Sequence, residues 1–359
     1  MTIQEALKIA IEQHRAGRLA EADATYRQIL AQYPDHADAW HLLGVLAGQA
    51  GRADVSVDLI SRAIALLPQQ AVYHGSLGMS LATLGKFNDA IAAYQQALTL
   101  NPNLAQVHSN LGIALAASGK AIDAVASFRR AVELEPQRAD FHSNLGNALR
   151  DTGHTEESIA ELLQAVQIQP EFPEAHNSLG SVYWMTGKLD DAIGSFRQAT
   201  AQRPDFVDAI ANLGIAQYQK GELDEAVASF RRVLELRPGA ADIQNYLGFA
   251  YYRKGDFTKL VASHRSAVTD QPDEAGAFQS LAAALLALNQ FDEAIGCCRK
   301  AIEARADFPE AYDLLGSALA GKGEFGPARD AYSTALAQRP DYAGVQGKLD
   351  RLNQEHPVL

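Results

Sequence analysis

Apolar positions along this chain fall into two alternating helical stripes, each ended by a chain breaker. In residues 105–138, Val107, Leu111 and Leu115 lie four apart, on one face of a helix, and Gly119 ends that stripe. Val125, Phe128 and Val132 form a second stripe, which Pro136 stops. The arrangement returns every 34 residues. Pro34, Pro68, Pro102, Pro136, Pro170, Pro204, Pro238 and Pro272 mark one phase; Ala306 takes the next slot and Pro340 resumes the series. One glycine series runs from Gly44 through Gly78, Gly112, Gly146, Gly180, Gly214 and Gly248, then Ala282 and Gly316. A second runs from Gly17 to Gly255, then Asn289 and Gly323. The pattern predicts ten units of two helices, each helix about 13 residues long: 3–36, 37–70, 71–104, 105–138, 139–172, 173–206, 207–240, 241–274, 275–308 and 309–342. No strand is expected within 3–342. In the tail, 343–359, Leu349 and Leu352 are three apart among Lys348, Asp350 and Arg351, which predicts a polar capping helix. At the other end, Thr2 and Glu5 have the spacing of a helix capping box.

A glycine in mid-helix costs about 1 kcal/mol relative to alanine. Its return at one phase of the unit therefore points to a close approach of two helices. The eighth and ninth units depart from the pattern. Leu260 stands where most units have alanine, and His264 where most have an aromatic or aliphatic residue. Ala282 and Asn289 replace glycine, and Ala306 replaces proline. These changes predict altered helix spacing or twist between residues 241 and 308.

The unit resembles the tetratricopeptide repeat. The signature stands as Trp40, Leu43, Gly44, Ala63 and Pro68 in the second unit. The third has Leu77, Gly78, Leu81, Ala90, Tyr94, Ala97 and Pro102, and the fourth has Leu111, Gly112, Leu115, Ala124, Phe128, Ala131 and Pro136. The resemblance implies an all-α, right-handed superhelical solenoid, with the first helix of each pair on the concave face. It also implies that unit positions 2, 5, 6, 9, 12 and 13 point into the groove. Position 6 reads Asn110, Asn144, Ser178, Asn212 and Tyr246, and Asn147 stands at position 9 of the fifth unit. In this respect the chain is similar to the superhelical region of O-linked N-acetylglucosamine transferases, where a ladder of asparagines holds an extended peptide backbone. An amide both donates and accepts, so it matches a peptide unit whatever the side chain. Position 12 reads Trp184, Tyr218 and Tyr252; position 9 adds Phe249, and position 5 adds Asn177 and Asn245. Such rings serve as binding anchors. The expected peptide-binding stretch is 105–274.

Composition narrows the partners. With 47% hydrophobic and 21% charged residues the chain is built to fold, not to stay disordered. Its net charge of −12 argues against nucleic acid or an anionic membrane as the main partner. Acids at position 2, such as Asp38, Asp140 and Glu310, stand where a clamp for a peptide C-terminus would need lysine or arginine. The longest apolar run, near 281–288, is too short for a membrane span. Glu5, Lys8, Glu12 and Arg15 interrupt the segment where a signal peptide needs an apolar core, so a cytoplasmic location is expected.

No nucleotide-binding, zinc-protease or serine-hydrolase motif occurs, so neither catalysis nor a cofactor is expected. Cys297 and Cys298 are adjacent and read as buried, inert thiols. His74, His108, His142 and His176 share one position of successive units. Helices pack about 8–10 Å apart, whereas zinc needs nitrogens at about 2 Å, so the series is not a metal ladder. It fills the slot that Trp40 occupies. The leading expectation is a scaffold that binds extended peptide segments of partner proteins in the groove. Two others stay open: a docking arm or accessory subunit for a protein glycosyltransferase or another transferase, and a homo-oligomeric scaffold assembled through the solenoid ends.

Overall fold

A computed structural model describes residues 2–270 and 274–357; Pro272, the eighth proline of the series, lies outside the described residues. Among those described there are helices and turns and no strand. The chain divides into two compact units, Met1–Thr186 and Gly187–Leu359. The first unit holds α1 (Ile3–Arg15), α2 (Leu19–Gln32), α3 (Ala37–Gln49), α4 (Ala53–Leu66), α5 (Ala71–Thr83), α6 (Phe87–Leu100), α7 (Ala105–Ala117), α8 (Ala121–Leu134), α9 (Ala139–Asp151), α10 (Thr155–Ile168) and α11 (Pro173–Met185). The second holds α12 (Leu189–Gln202), α13 (Val207–Lys220), α14 (Leu223–Leu236), α15 (Ala241–Lys254), α16 (Phe257–Asp270), α17 (Ala275–Ala287), α18 (Phe291–Ala304), α19 (Pro309–Lys322), α20 (Phe325–Gln338) and α21 (Ala343–Glu355). Each is 13 or 14 residues long, as the 34-residue period predicts.

The chain breakers act as read. Thr2 and Glu5 form the capping box: Glu5 N–H donates to Thr2 Oγ1 at 3.3 Å and Thr2 N–H to Glu5 Oε2 at 2.7 Å. The glycines between paired helices adopt φ of +71° to +90°, a region costly for a side-chain-bearing residue. Asn289 takes the same turn at φ +56°, asparagine being the side chain that tolerates it best. In the tail α21 buries Val345 and Leu352.

The mid-helix glycines make room for the paired second helix. A Cβ on Gly112 would lie 2.7 Å from the Phe128 ring, and one on Gly316 2.6 Å from that of Tyr332. In the ninth unit both members of the pair change: Ala282 replaces the glycine and Cys298 the ring, and both are fully buried. The small thiol leaves room for the added methyl. Cys298→Phe alone should therefore overpack this joint and cost about 1–3 kcal/mol, and Ala282→Gly in the same chain should restore most of it. Urea unfolding of the two single variants and the double variant checks this.

The recurring histidines tie each first helix to the loop before it. Their Nε2 atoms lie 2.9, 2.9, 3.0 and 3.1 Å from the carbonyl oxygens of Pro68, Pro102, Pro136 and Pro170. Trp40 Nε1–H donates to Pro34 O in the same way at 2.7 Å. In these five consecutive units the slot holds a ring N–H donor, which explains why tryptophan and histidine interchange among them. His108→Phe keeps the ring and loses the bond, with an expected cost of about 1 kcal/mol measured by thermal unfolding.

Successive first helices also touch one another: α3–α5, α5–α7, α7–α9 and α9–α11 in the first unit, α13–α15 and α17–α19 in the second. Polar bonds between residues 35 apart join them, such as His41 Nε2 to Ser76 Oγ at 2.9 Å and Lys348 Nζ to Asp313 Oδ1 at 2.6 Å.

Candidate functional site

In the first unit, Asn110 of α7 and Asn144 of α9 sit on consecutive first helices and are half-buried. Each spends part of its amide on a neighbour. Asn110 Oδ1 accepts from Gln106 Nε2 at 3.0 Å, and Asn144 Nδ2 donates to Ser109 Oγ at 3.3 Å. One acceptor and one N–H of Asn144 stay available for a backbone, fewer than a free amide offers. The buried Asn147 Oδ1 has no hydrogen-bond partner. Asn177 and Trp184 lie on α11, the asparagine half-buried and the indole 39% exposed.

In the second unit the predicted aromatics divide into two groups. Tyr218 of α13 and Tyr246 of α15 meet edge to face at 6.2 Å, and Tyr246 stacks on buried Phe230 at 5.6 Å. The Arg253 guanidinium covers Tyr218 at 4.7 Å and donates to its carbonyl oxygen at 2.8 Å. These two rings are therefore held by the fold, and half-buried Tyr246 belongs largely to the core. Half-buried Asn212 shares α13 with Tyr218. The second group is more exposed. Phe249 and Tyr252 are 57% and 61% exposed, one turn apart on α15, and Tyr252 rests edge-on against Phe257 at 5.8 Å. With Asn245 they line a cleft of about 460 Å³ between α15 and α17.

The other walls of that cleft were not anticipated as site residues. Gly248, Ala283 and Ala284 give it a small-residue floor, Gln279 and Ser280 a polar edge, and Leu260 and His264 of α16 its depth. The signal was present: Leu260 and His264 are the two departures from the repeat pattern in that helix. Leu260 Cδ1 reaches within 3.5 Å of where a Gly248 Cβ would stand, and the smaller imidazole replaces the usual six-membered ring. His264 is 9% exposed, and burial holds its pKa below the ordinary value, so the ring is neutral near pH 7.

Other chemistry is sparse. Cys297 and Cys298 are free and buried, and burial pushes the Cys298 thiol up to about 12, which keeps it a protonated, poor nucleophile. Among the described residues no three histidine, cysteine or acidic side chains stand close enough to hold a metal ion. No helix among them is long and apolar enough to cross a membrane.

Comparison with known proteins bears on the whole chain. A family model described as TPR repeat matches residues 78–119, 146–187 and 216–255. Two models described as tetratricopeptide repeat match 7–71 and 280–343, and 105–138 and 173–206. No curated protein matches. Among solved structures, MamA is 30% identical over 46% of this chain and 97% of its own, with a TM-score of 0.43. YrrB, described as a TPR protein with an unusual peptide-binding site, is 22% identical over 52% of this chain and 96% of its own, with a TM-score of 0.45. The C-terminal part of a TPR repeat-containing protein from Cytophaga hutchinsonii shares the fold at 15% identity, covering 66% of this chain and 98% of its own, with a TM-score of 0.55. The chain belongs to the tetratricopeptide-repeat family.

Proposed function

We propose that the protein is a binding scaffold that holds extended peptide segments of partner proteins on the concave, first-helix face, with the α15–α17 cleft of the second unit as its anchor point. The observation that carries this reading is the exposure of Phe249 and Tyr252 over that cleft. Neither ring is needed to fill the core, which Tyr251 already does at 3% exposure. Exposed aromatics beside a recess are the residues from which interfaces draw most of their binding energy. Asn245 and Gln279 on facing first helices supply amides that suit a peptide backbone. Asn110 and Asn144 offer the same chemistry in the first unit.

Selection of short random peptides displayed against the full chain tests the proposal. Enriched peptides should bind the native chain and lose about thirtyfold or more in affinity to a Phe249→Ala, Tyr252→Ala variant, since truncating an anchor costs about 2 kcal/mol or more. Helicity should not change, because both side chains are mostly in solvent. Equal binding by that variant would remove the site from this face.

A further inference from the structure

We infer that the α15–α17 cleft is a side-chain pocket for a tyrosine of the bound peptide, and that His264 is the residue that selects it. This rests on the peptide-binding reading above and goes beyond it by naming the side chain. Three features converge. The recess is about 460 Å³, ample for one aromatic side chain, and its floor of Gly248, Ala283 and Ala284 admits a flat ring. Phe249 and Tyr252 stand at its mouth, where they can stack on an entering ring. At its depth lies His264, nine-tenths buried, with no protein group hydrogen-bonded to either ring nitrogen among the described residues.

That last feature decides the chemistry. The ring nitrogens of His264 are not among the fully sealed, unpartnered side-chain atoms, so the imidazole edge that lines the recess is open to a partner there. None of the lining side chains is charged. A lysine or a carboxylate would be stripped of water there with no counter-charge, which is strongly unfavourable. The fitting occupant is neutral, apolar along its body and polar at its tip. Tyrosine has that form. Its hydroxyl can donate to the bare nitrogen of neutral His264 or accept from the protonated one. Phenylalanine would fill the same space and leave the imidazole unpaired. Sites built to bond a hydroxyl reject the analogue lacking it far more strongly than apolar pockets discriminate by size. The other repeats carry Tyr26, Ile60, Tyr94, Phe128, Leu162, Phe196, Phe230, Cys298 and Tyr332 at the position of His264, so an imidazole stands there in one repeat alone.

The test uses peptides selected on the full chain and their tyrosine-to-phenylalanine counterparts. Tyrosine should be enriched at one peptide position, and its replacement by phenylalanine should weaken binding about tenfold or more. In a His264→Phe chain, which restores the residue type usual at that position, the two peptides should bind within about twofold of each other. Should that variant fold poorly, nitrogen NMR of His264 in the native chain decides instead: the tyrosine peptide should shift its ring resonances and the phenylalanine peptide should not. Peptides that bind and depend on Phe249 and Tyr252 but show no tyrosine preference would overturn this inference and leave the scaffold reading standing. Peptides indifferent to Phe249 and Tyr252 would overturn the scaffold reading itself.

Discussion

Lowering the pH from 7 to 4 should remove about 3 kcal/mol of stability through one buried side chain, His41. The imidazole is 7% exposed, stacked on Tyr73 at 4.6 Å and hydrogen-bonded to Ser76 Oγ at 2.9 Å. Burial pushes its pKa down to about 4, against the opposing pull of Asp38. In the unfolded chain the ring takes a proton near its ordinary value of about 6.5. The folded state thus favours the neutral form. Its stabilising contribution is complete above about pH 6.5, is lost as pH falls from there to about 4, and is flat below. About 2.5 units of separation correspond to about 3 kcal/mol. His264, also depressed by burial, acts in the same direction. Carboxylates titrate nearby in pH, so the informative quantity is a difference. Urea unfolding of the native chain and of His41→Ser, the residue type found at the equivalent Ser109 and Ser143, should give stability curves that diverge through this window. Parallel curves would contradict the assignment.

Gly214→Leu should cost about 3 kcal/mol, although removing a mid-helix glycine would ordinarily stabilise. A Cβ alone at this site would stand 2.7 Å from the ring of Phe230, which is fully buried in the core of the second unit. Leucine adds three further carbons toward the same ring. Overpacking of this kind costs typically about 1–3 kcal/mol and occasionally more, and here it must outweigh about 1 kcal/mol of helix propensity. Gly296 gives the matching control. It is exposed on α18 with nothing within 4 Å of a built Cβ. Gly296→Ala should therefore raise stability by up to about 1 kcal/mol. Urea midpoints of the two variants should move in opposite directions; a shift of the same sign would mean that the recurring glycines are not packing residues.

The repeat made the fold legible before any coordinates. The period depends on local rules: a left-handed turn that glycine or asparagine can make, a proline that no helix continues through, and a small residue where two helices meet. Each rule reads from one residue type, so Asn289 could be placed as surely as Gly255. The site was less legible. The positions of Phe249, Tyr252 and Asn245 followed from the unit phase, whereas Ala283, Ala284 and Gln279 carried no signal of their own. They line the cleft only because of where α17 stands against α15, which depends on packing across repeats. The division of the aromatics was also hidden. Tyr218 and Tyr246 occupy groove positions in the sequence, but Arg253 and Phe230 hold them, and those contacts join residues far apart along the chain. His264 was visible as a departure from the pattern, but not as the floor of a recess.

The most direct test of the binding account is to put a photo-crosslinking group into a selected peptide and identify the residues it labels on the native chain. Labelling should fall on the first helices of the second unit, at Asn245, Phe249 and Gln279 and their neighbours on the same face. Labelling of exposed second-helix residues such as Arg232 of α14 or Lys300 of α18 would place the peptide on the opposite side and contradict the account.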